Sequence, residues 1–250
     1  MLEQQINEVE QFWKERKIAA ENYKGKKDSF ILVEIEDLTT DLDEFLSTMS
    51  NILANRYVKN LRSKAEKVQG DLLLFADIID KWVECQKKWM YLENIFQGPD
   101  IRKKLPNEDS LFQSCDKSIK GLFNRFNVQP FAFRAIKIPN IVNILNTCLE
   151  NLDTVEHNLK QYLDVKRRDF PRFYFISDDE LIEILSNAAN IDAIQKHLRK
   201  CFEGINRLDI PDPKVKVIAG LVSGEGENVQ LNKQSMRAQG EVELWLNSLQ

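Results

Sequence analysis

The chain has 250 residues, enough for one large domain or two small ones and for a sizeable core. Nine glycines and seven prolines are about half the usual share, which excludes a sandwich, a propeller or a loop-rich secreted scaffold and favours long helices. With 43% hydrophobic residues, 30% charged residues and a net charge of −4, the chain is too apolar for disorder, too polar for a membrane protein and without electrostatic reason to bind nucleic acid.

Helical periodicity runs almost from end to end. Leu2 to about Tyr23 reads as a first amphipathic helix (Ile6, Val9, Trp13), stopped by Lys24-Gly25-Lys26-Lys27. A second runs from about Ser29 to Leu53, where Ile35, Leu38, Leu42, Phe45, Met49 and Ile52 alternate by three and four and so share one stripe. Within it, Phe30-Ile31-Leu32-Val33 also suits an extended conformation. The third helix is expected from Val58 to Phe96, a rod of roughly 60 Å at about 1.5 Å per residue. Phe75, Trp82, Trp89 and Phe96 fall seven apart on it and form an aromatic ladder along one face. The ladder reads as core, and its tryptophans disfavour a simple two-stranded coiled coil, whose seam prefers aliphatic residues. Gly70 is its weak point, and Gln97-Gly98-Pro99 ends it.

Pro106-Asn107-Glu108-Asp109 opens a helix with the stripe Leu111, Cys115, Ile119, Leu122 and Phe126. Pro130 and Pro139 bracket a connector, after which Ile141, Leu145, Cys148, Leu152, Val155, Leu159 and Tyr162 mark another helix. That helix ends in Lys166-Arg167-Arg168, cations where the helix dipole favours them. Phe170-Pro171-Arg172-Phe173-Tyr174-Phe175 breaks the pattern. Ser177 and Glu180 form a capping box in which each side chain satisfies the other residue's backbone amide. A short helix (Leu181, Ile184, Leu185) follows, then one from Asn190 with Ile191, Ile194, Leu198, Cys201, Ile205 and Leu208. Beyond Pro211 and Pro213 the pattern becomes a β-hairpin: Lys214-Val215-Lys216-Val217, a turn over Ser223–Asn228, and Val229-Gln230-Leu231 returning. The last helix (Val242, Trp245, Leu246, Leu249) reaches Gln250 without a C-cap, as if the chain were cut from something longer. The expected architecture is mainly α: an elongated multi-helix bundle or arch, with blocks 1–97, 98–208 and 209–250 and one small β-hairpin near the C-terminal end.

Catalytic chemistry is hard to find. His157 and His197 are the only histidines, and no HExxH occurs. His197 and Cys201 share a helix face, but Cys201 sits on the apolar stripe and reads as core. Cys85, Cys115, Cys148 and Cys201 form no CxxC and read as reduced thiols on apolar faces. Ser223-Gly224-Glu225-Gly226 lacks the lysine and Ser/Thr of a phosphate loop, and its glutamates would repel phosphate. Neither a catalytic group, a cofactor site nor a metal site is expected, and no secretory signal opens the chain.

Two segments resemble one family. Trp82-Val83-Glu84-Cys85-Gln86-Lys87-Lys88-Trp89-Met90-Tyr91-Leu92-Glu93-Asn94-Ile95-Phe96, followed by Asp100-Ile101 and Leu105-Pro106-Asn107-Glu108, resembles the linker region of dynein heavy chains. Tyr162 to Leu181 does so as well, and the likeness continues through His197–Glu203, Ser223–Glu227 and Val242–Leu246. Asn51–Arg56 departs from the small-residue and proline turn of the family, and Asp164 stands where a glutamate is usual. The flavour is closer to axonemal than to cytoplasmic heavy chains.

The resemblance implies a mechanical element with no catalysis of its own: the N-terminal half of a helical arch lying across a ring of AAA+ modules in the same heavy chain. ATP and Mg belong to that ring, microtubules are reached only indirectly, and the cytoskeleton of a ciliary axoneme is the implied location. Neither nucleic acid nor a membrane is an implied partner. The hairpin tip (Ser223, Glu225, Glu227) and the corner at Phe170, Arg172 and Phe173 are the expected ring contacts; the alternative, which weighs more at the corner than at the hairpin, is that Phe170 and Phe173 pack internally while Arg172 pairs with a nearby acid. The competing readings are a helical scaffold or coiled-coil adaptor, and a small helical enzyme.

Overall fold

The computed structural model describes residues 2–188, 190–212, 215–231 and 236–249. Ten α-helices dominate these residues: α1 Leu2–Glu15, α2 Ile35–Ala54, α3 Arg62–Ile95, α4 Pro99–Lys104, α5 Pro106–Asn127, α6 Ala132–Ala135, α7 Ile141–Asp169, α8 Asp178–Ser186, α9 Ile191–Cys201 and α10 Val242–Asn247. Seven short strands accompany them: β1 Ala20–Asn22, β2 Phe30–Leu32, β3 Ile205–Asp209, β4 Val217–Ile218, β5 Gly220–Ser223, β6 Asn228–Gln230 and β7 Met236–Arg237. All strand pairs are antiparallel, in the orders β1-β2, β3-β5-β6 and β4-β7. The fold is mainly α.

Several boundaries differ from the periodic reading. The first helix stops at Glu15 instead of about Tyr23. There the backbone turns outward to pair, Ile18 donating to the Pro130 oxygen and Ala132 to the Arg16 oxygen. Ala20–Asn22 then forms β1, and Phe30–Leu32 takes the extended alternative as β2. The second helix therefore begins at Ile35, after a left-handed Glu34 at φ 55°. The third begins at Arg62 and runs to Ile95 straight through Gly70.

The largest correction lies after α9. Ile205 and Leu208, expected on the helix stripe, belong to β3. The helix ends at Cys201, and Gly204 turns the chain at φ +84°, a left-handed conformation favouring glycine. The expected hairpin is accordingly the outer part of a three-stranded sheet. Its first strand is Gly220–Ser223, not Lys214–Val217, and its return is Asn228–Gln230. Val217 pairs elsewhere, with Arg237. Lys214, Pro213 and Gln250 lie outside the described residues. Gly220 is required by close approach, because a methyl there would come within 2.7 Å of both Asn228 Oδ1 and the Val229 oxygen.

The chain packs as two compact units, 1–90 with 111–153 and 91–110 with 154–250. The first is braced by aromatic rings. Trp13 meets Phe75 at 5.5 Å and Phe45 edge-on at 5.9 Å, and Trp82 stands edge-on to Phe123 and Phe126 at 5.1 and 5.5 Å. Trp89 contacts Tyr23 at 5.1 Å, and its indole N–H donates to Asp116 Oδ1 at 3.0 Å. Gln86 is buried and grips the backbone of β2: its amide donates to the Leu32 oxygen (3.1 Å), and its side-chain oxygen accepts from the Leu32 N–H (2.7 Å). A polar side chain is tolerated there because both of its functions are satisfied. In the second unit Phe96, Leu163, Phe170, Phe173, Leu181 and Trp245 are buried.

Candidate functional site

The second unit carries every position the sequence singles out for contact. The chain leaves α7 at Asp169, and Pro171–Phe175 forms a 3₁₀ turn. Proline fixes the first residue of that turn and cannot extend the helix behind it. The turn folds two aromatic rings inward, Phe170 and Phe173 meeting edge-on at 4.8 Å and Phe170 lying 5.9 Å from the Phe202 ring. Neither Phe170 nor Phe173 has accessible surface. Both are therefore internal packing and cannot present themselves to another body. Arg172 is also turned inward. Its Nη1 donates to the Cys201 carbonyl at 3.1 Å, and its guanidinium lies 4.8 Å over the Phe202 ring. Arg172 thus closes the end of α9.

What the corner does expose is the pair Tyr174 and Phe175, 62% and 73% accessible. Phe170 and Phe173 follow the internal-packing alternative, and Arg172 meets a carbonyl where that alternative put an acid.

Behind the corner, the expected capping box is formed. Ser177 Oγ accepts from the Glu180 N–H at 3.3 Å, and Glu180 Oε2 accepts from the Ser177 N–H at 3.2 Å. Lys200 donates to Glu180 Oε1 at 2.5 Å. That bond, with the Ser177 amide, holds the Glu180 carboxyl well below its ordinary value, at about 2. His197, the nearest histidine, lies between carboxylates: Nε2 is 3.2 Å from Glu183 Oε2 and Nδ1 is 3.6 Å from Glu180 Oε1. It makes no pair with Cys201, whose thiol burial pushes up to about 11. Among the described residues no cluster of three or more His, Cys, Asp or Glu side chains could hold a metal ion. No helix among them is long and apolar enough to cross a membrane.

The hairpin tip is differently built. Ser223 Oγ accepts from the backbone N–H groups of Glu225 (3.3 Å) and Glu227 (3.1 Å), and the Ser223 N–H donates to the Glu227 oxygen at 2.8 Å. Gly226 takes φ +90° to close the turn. Ser223 is therefore the fastener of the turn, and Glu225 and Glu227 stand exposed on it. At its base, Asn228 Nδ2 donates to Asp209 Oδ2 at 2.8 Å and anchors the tip to β3. Two carboxylates on a fastened turn make a preorganised acidic projection. It pays little ordering entropy on meeting a cationic surface.

One group of residues escaped the sequence reading. Lys166, at the end of α7, donates to the buried Glu243 of α10 and to Glu241 Oε2 at 3.2 Å, and Lys104 of α4 donates to the same Glu241 oxygen at 2.5 Å. Burial alone would lower the Lys166 ammonium, but the Glu243 and Glu241 carboxylates more than offset it and hold it above its ordinary value. In the sequence Lys166 looked like a dipole-favoured surface cation, because its partners follow 75 and 77 residues later.

A family model described as dynein heavy chain, N-terminal region 2, matches residues 1–250. Axonemal heavy chain 6 of Homo sapiens is 35% identical over 266 residues, which cover 100% of this chain and 6% of that protein. Human axonemal heavy chain 10 is 33% identical over 99% of the chain and 6% of its own length. Human axonemal heavy chain 2 is 36% identical over 86% of the chain and 5% of its own length. The chain thus spans about one twentieth of the length of these relatives.

Proposed function

The chain belongs to the dynein heavy chains, and we propose that within its motor it forms the N-terminal half of the linker, the lever that the nucleotide state of an AAA+ ring remodels to give the power stroke. In this reading ATP and Mg are bound and turned over in the ring of the same heavy chain. This region carries force and no chemistry. Microtubules are reached only through the rest of the motor, and the names of the relatives support a place in the ciliary axoneme.

The observation that carries the reading is the contrast within the second unit. A core of buried aromatic side chains and ion pairs supports a hairpin whose tip is stiff yet holds Glu225 and Glu227 out in solvent. A lever needs both a body that resists bending and a defined point of contact. Irregular exposed elements on a rigid scaffold commonly serve as that point.

The test is charge reversal at the tip. In an intact motor, Glu225→Lys with Glu227→Lys is expected to leave folding and microtubule affinity unchanged while slowing gliding several-fold or uncoupling it from ATP turnover. Wild-type velocity and wild-type ATPase in the double variant would make the hairpin a structural appendage and end this assignment.

A further inference from the structure

Three of the four cysteines, widely separated in sequence, converge inside the first unit. Cys85 of α3, Cys115 of α5 and Cys148 of α7 are all buried and all free thiols. The Cys115 thiol reaches the Cys148 carbonyl oxygen at 3.8 Å. The neighbouring Cys115 and Cys85 thiols and the Ser118 hydroxyl lower the Cys148 thiol. Core cysteines usually behave as small hydrophobes, but Cys115 and Cys148 border serine, threonine and asparagine side chains.

The cluster is also not sealed. A cavity of about 300 Å³ is lined by Cys115 and Cys148 together with Ser114, Ser118, Asn143 and Thr147. Its polar wall is hydroxyl and amide, groups that suit a small hydrogen-bonding guest. The mechanical reading uses none of this.

We propose that this cavity is an oxidation site, in which the Cys148 sulfur is the nucleophile, hydrogen peroxide is the oxidant and Cys115 is the adjacent resolving thiol. The Cys148 thiolate attacks one peroxide oxygen. An S–O bond forms, the O–O bond breaks, sulfur loses two electrons, and the departing hydroxide takes up the proton that the thiol had released. The products are a sulfenic acid and water. Condensation with the Cys115 thiol then forms an S–S bond and releases a second water.

The charges order the three sulfurs. Hydrogen bonds from Cys115, Cys85 and Ser118 lower the Cys148 thiol. The hydrogen bonds that Cys85 and Cys115 give to Cys148, with burial added, raise both of those thiols far above the ordinary range. Cys148 is thereby the most acidic of the three thiols, and it lines the cavity beside Cys115.

Cys201 provides a reference within the same molecule. With its thiol at about 11, roughly one part in ten thousand is thiolate at neutral pH. Even an ordinary thiol has a few per cent, and the accompanying loss of nucleophilicity does not cancel that gain.

The experiment is a brief hydrogen peroxide pulse on the native full-length heavy chain with a 1,3-dione that traps sulfenic acids, followed by digestion and mass spectrometry. The dione adduct on Cys148, or the Cys115–Cys148 disulfide, is expected at least about tenfold faster than any oxidation of Cys201. In Cys148→Ser, Cys85 and Cys115 are expected to stay reduced. If that variant fails to fold, the ratio of Cys148 to Cys201 in the wild-type chain decides alone. Equal oxidation at all four cysteines, or Cys148 untouched at a dose that oxidises Cys201, overturns the proposal. So does unchanged oxidation of Cys115 in Cys148→Ser.

Discussion

Trp82→Ala is expected to destabilise the protein by about 3–5 kcal/mol, the range for deleting a large aromatic side chain from a packed core. Trp82 is 1% exposed and stands edge-on to Phe123 and Phe126, so its removal leaves a cavity and strips two ring contacts from α5. Trp89→Ala falls in the same range, and it additionally deprives Asp116 of the indole N–H, although Lys120 Nζ at 2.9 Å still faces that carboxylate. Phenylalanine separates packing from polarity. The Trp82 indole N–H has no hydrogen-bond partner in the protein, so Trp82→Phe sheds a desolvated donor and costs less than Trp89→Phe. The latter gives up a hydrogen bond to a carboxylate, worth about 1.5–3 kcal/mol. Leu73→Ala, at an exposed position of the same helix, is the control and stays within about 0.5 kcal/mol. Denaturant midpoints measure all five. Unchanged midpoints for Trp82→Ala and Trp89→Ala would place the ladder on a partner-facing surface.

Lys166→Met is expected to cost about 3–5 kcal/mol, because it leaves Glu243 as a buried charge without its counter-ion. Glu243 is 2% exposed, so water cannot replace the ammonium. Glu241 suffers less, since it is more exposed and keeps Lys104. Adding Glu243→Gln to Lys166→Met removes the stranded charge and is expected to recover more than half of the loss. Additive effects in the double variant would contradict a coupled pair. The pH dependence has a definite sign. Lys166 has its folded pKa raised above the ordinary lysine value of 10.5, so its contribution is complete below pH 10.5 and fades as pH rises through the folded value. Loss of stability above pH 10.5 should therefore be smaller in Lys166→Met than in the wild-type chain.

The long helices were legible because their stripes are set by local physics. The Ile35–Ile52 and Ile141–Tyr162 patterns repeat every three and four residues, and α2 and α7 follow them. The capping box at Ser177 was legible for the same reason, since donor and acceptor lie three residues apart. What escaped depends on distant partners. The first helix ends at Glu15 because the following backbone pairs with residues 130–132, which no window around Glu15 can show. The β3 strand was mistaken for helix because Ile205 and Leu208 fit a spacing of three. Gly204 was the available warning, and it was outweighed by periodicity. At the candidate site, the acidic tip could be found from its turn residues, whereas the sequence left open whether Phe170 and Phe173 pack internally or face outward. A run of aromatic residues announces a corner without saying which rings fill it.

In the proposed linker role this region is displaced by the nucleotide cycle of its motor. The most direct measurement is single-molecule energy transfer in an intact motor, with a donor on an unnatural residue at the exposed position Leu73 and an acceptor fixed in the AAA+ ring. Two transfer efficiencies are expected to exchange between the nucleotide-free and ATP-bound states, and that exchange is expected to be lost when Glu225 and Glu227 are both replaced by lysine. A single transfer efficiency through the whole ATP cycle of an active, gliding motor would contradict it.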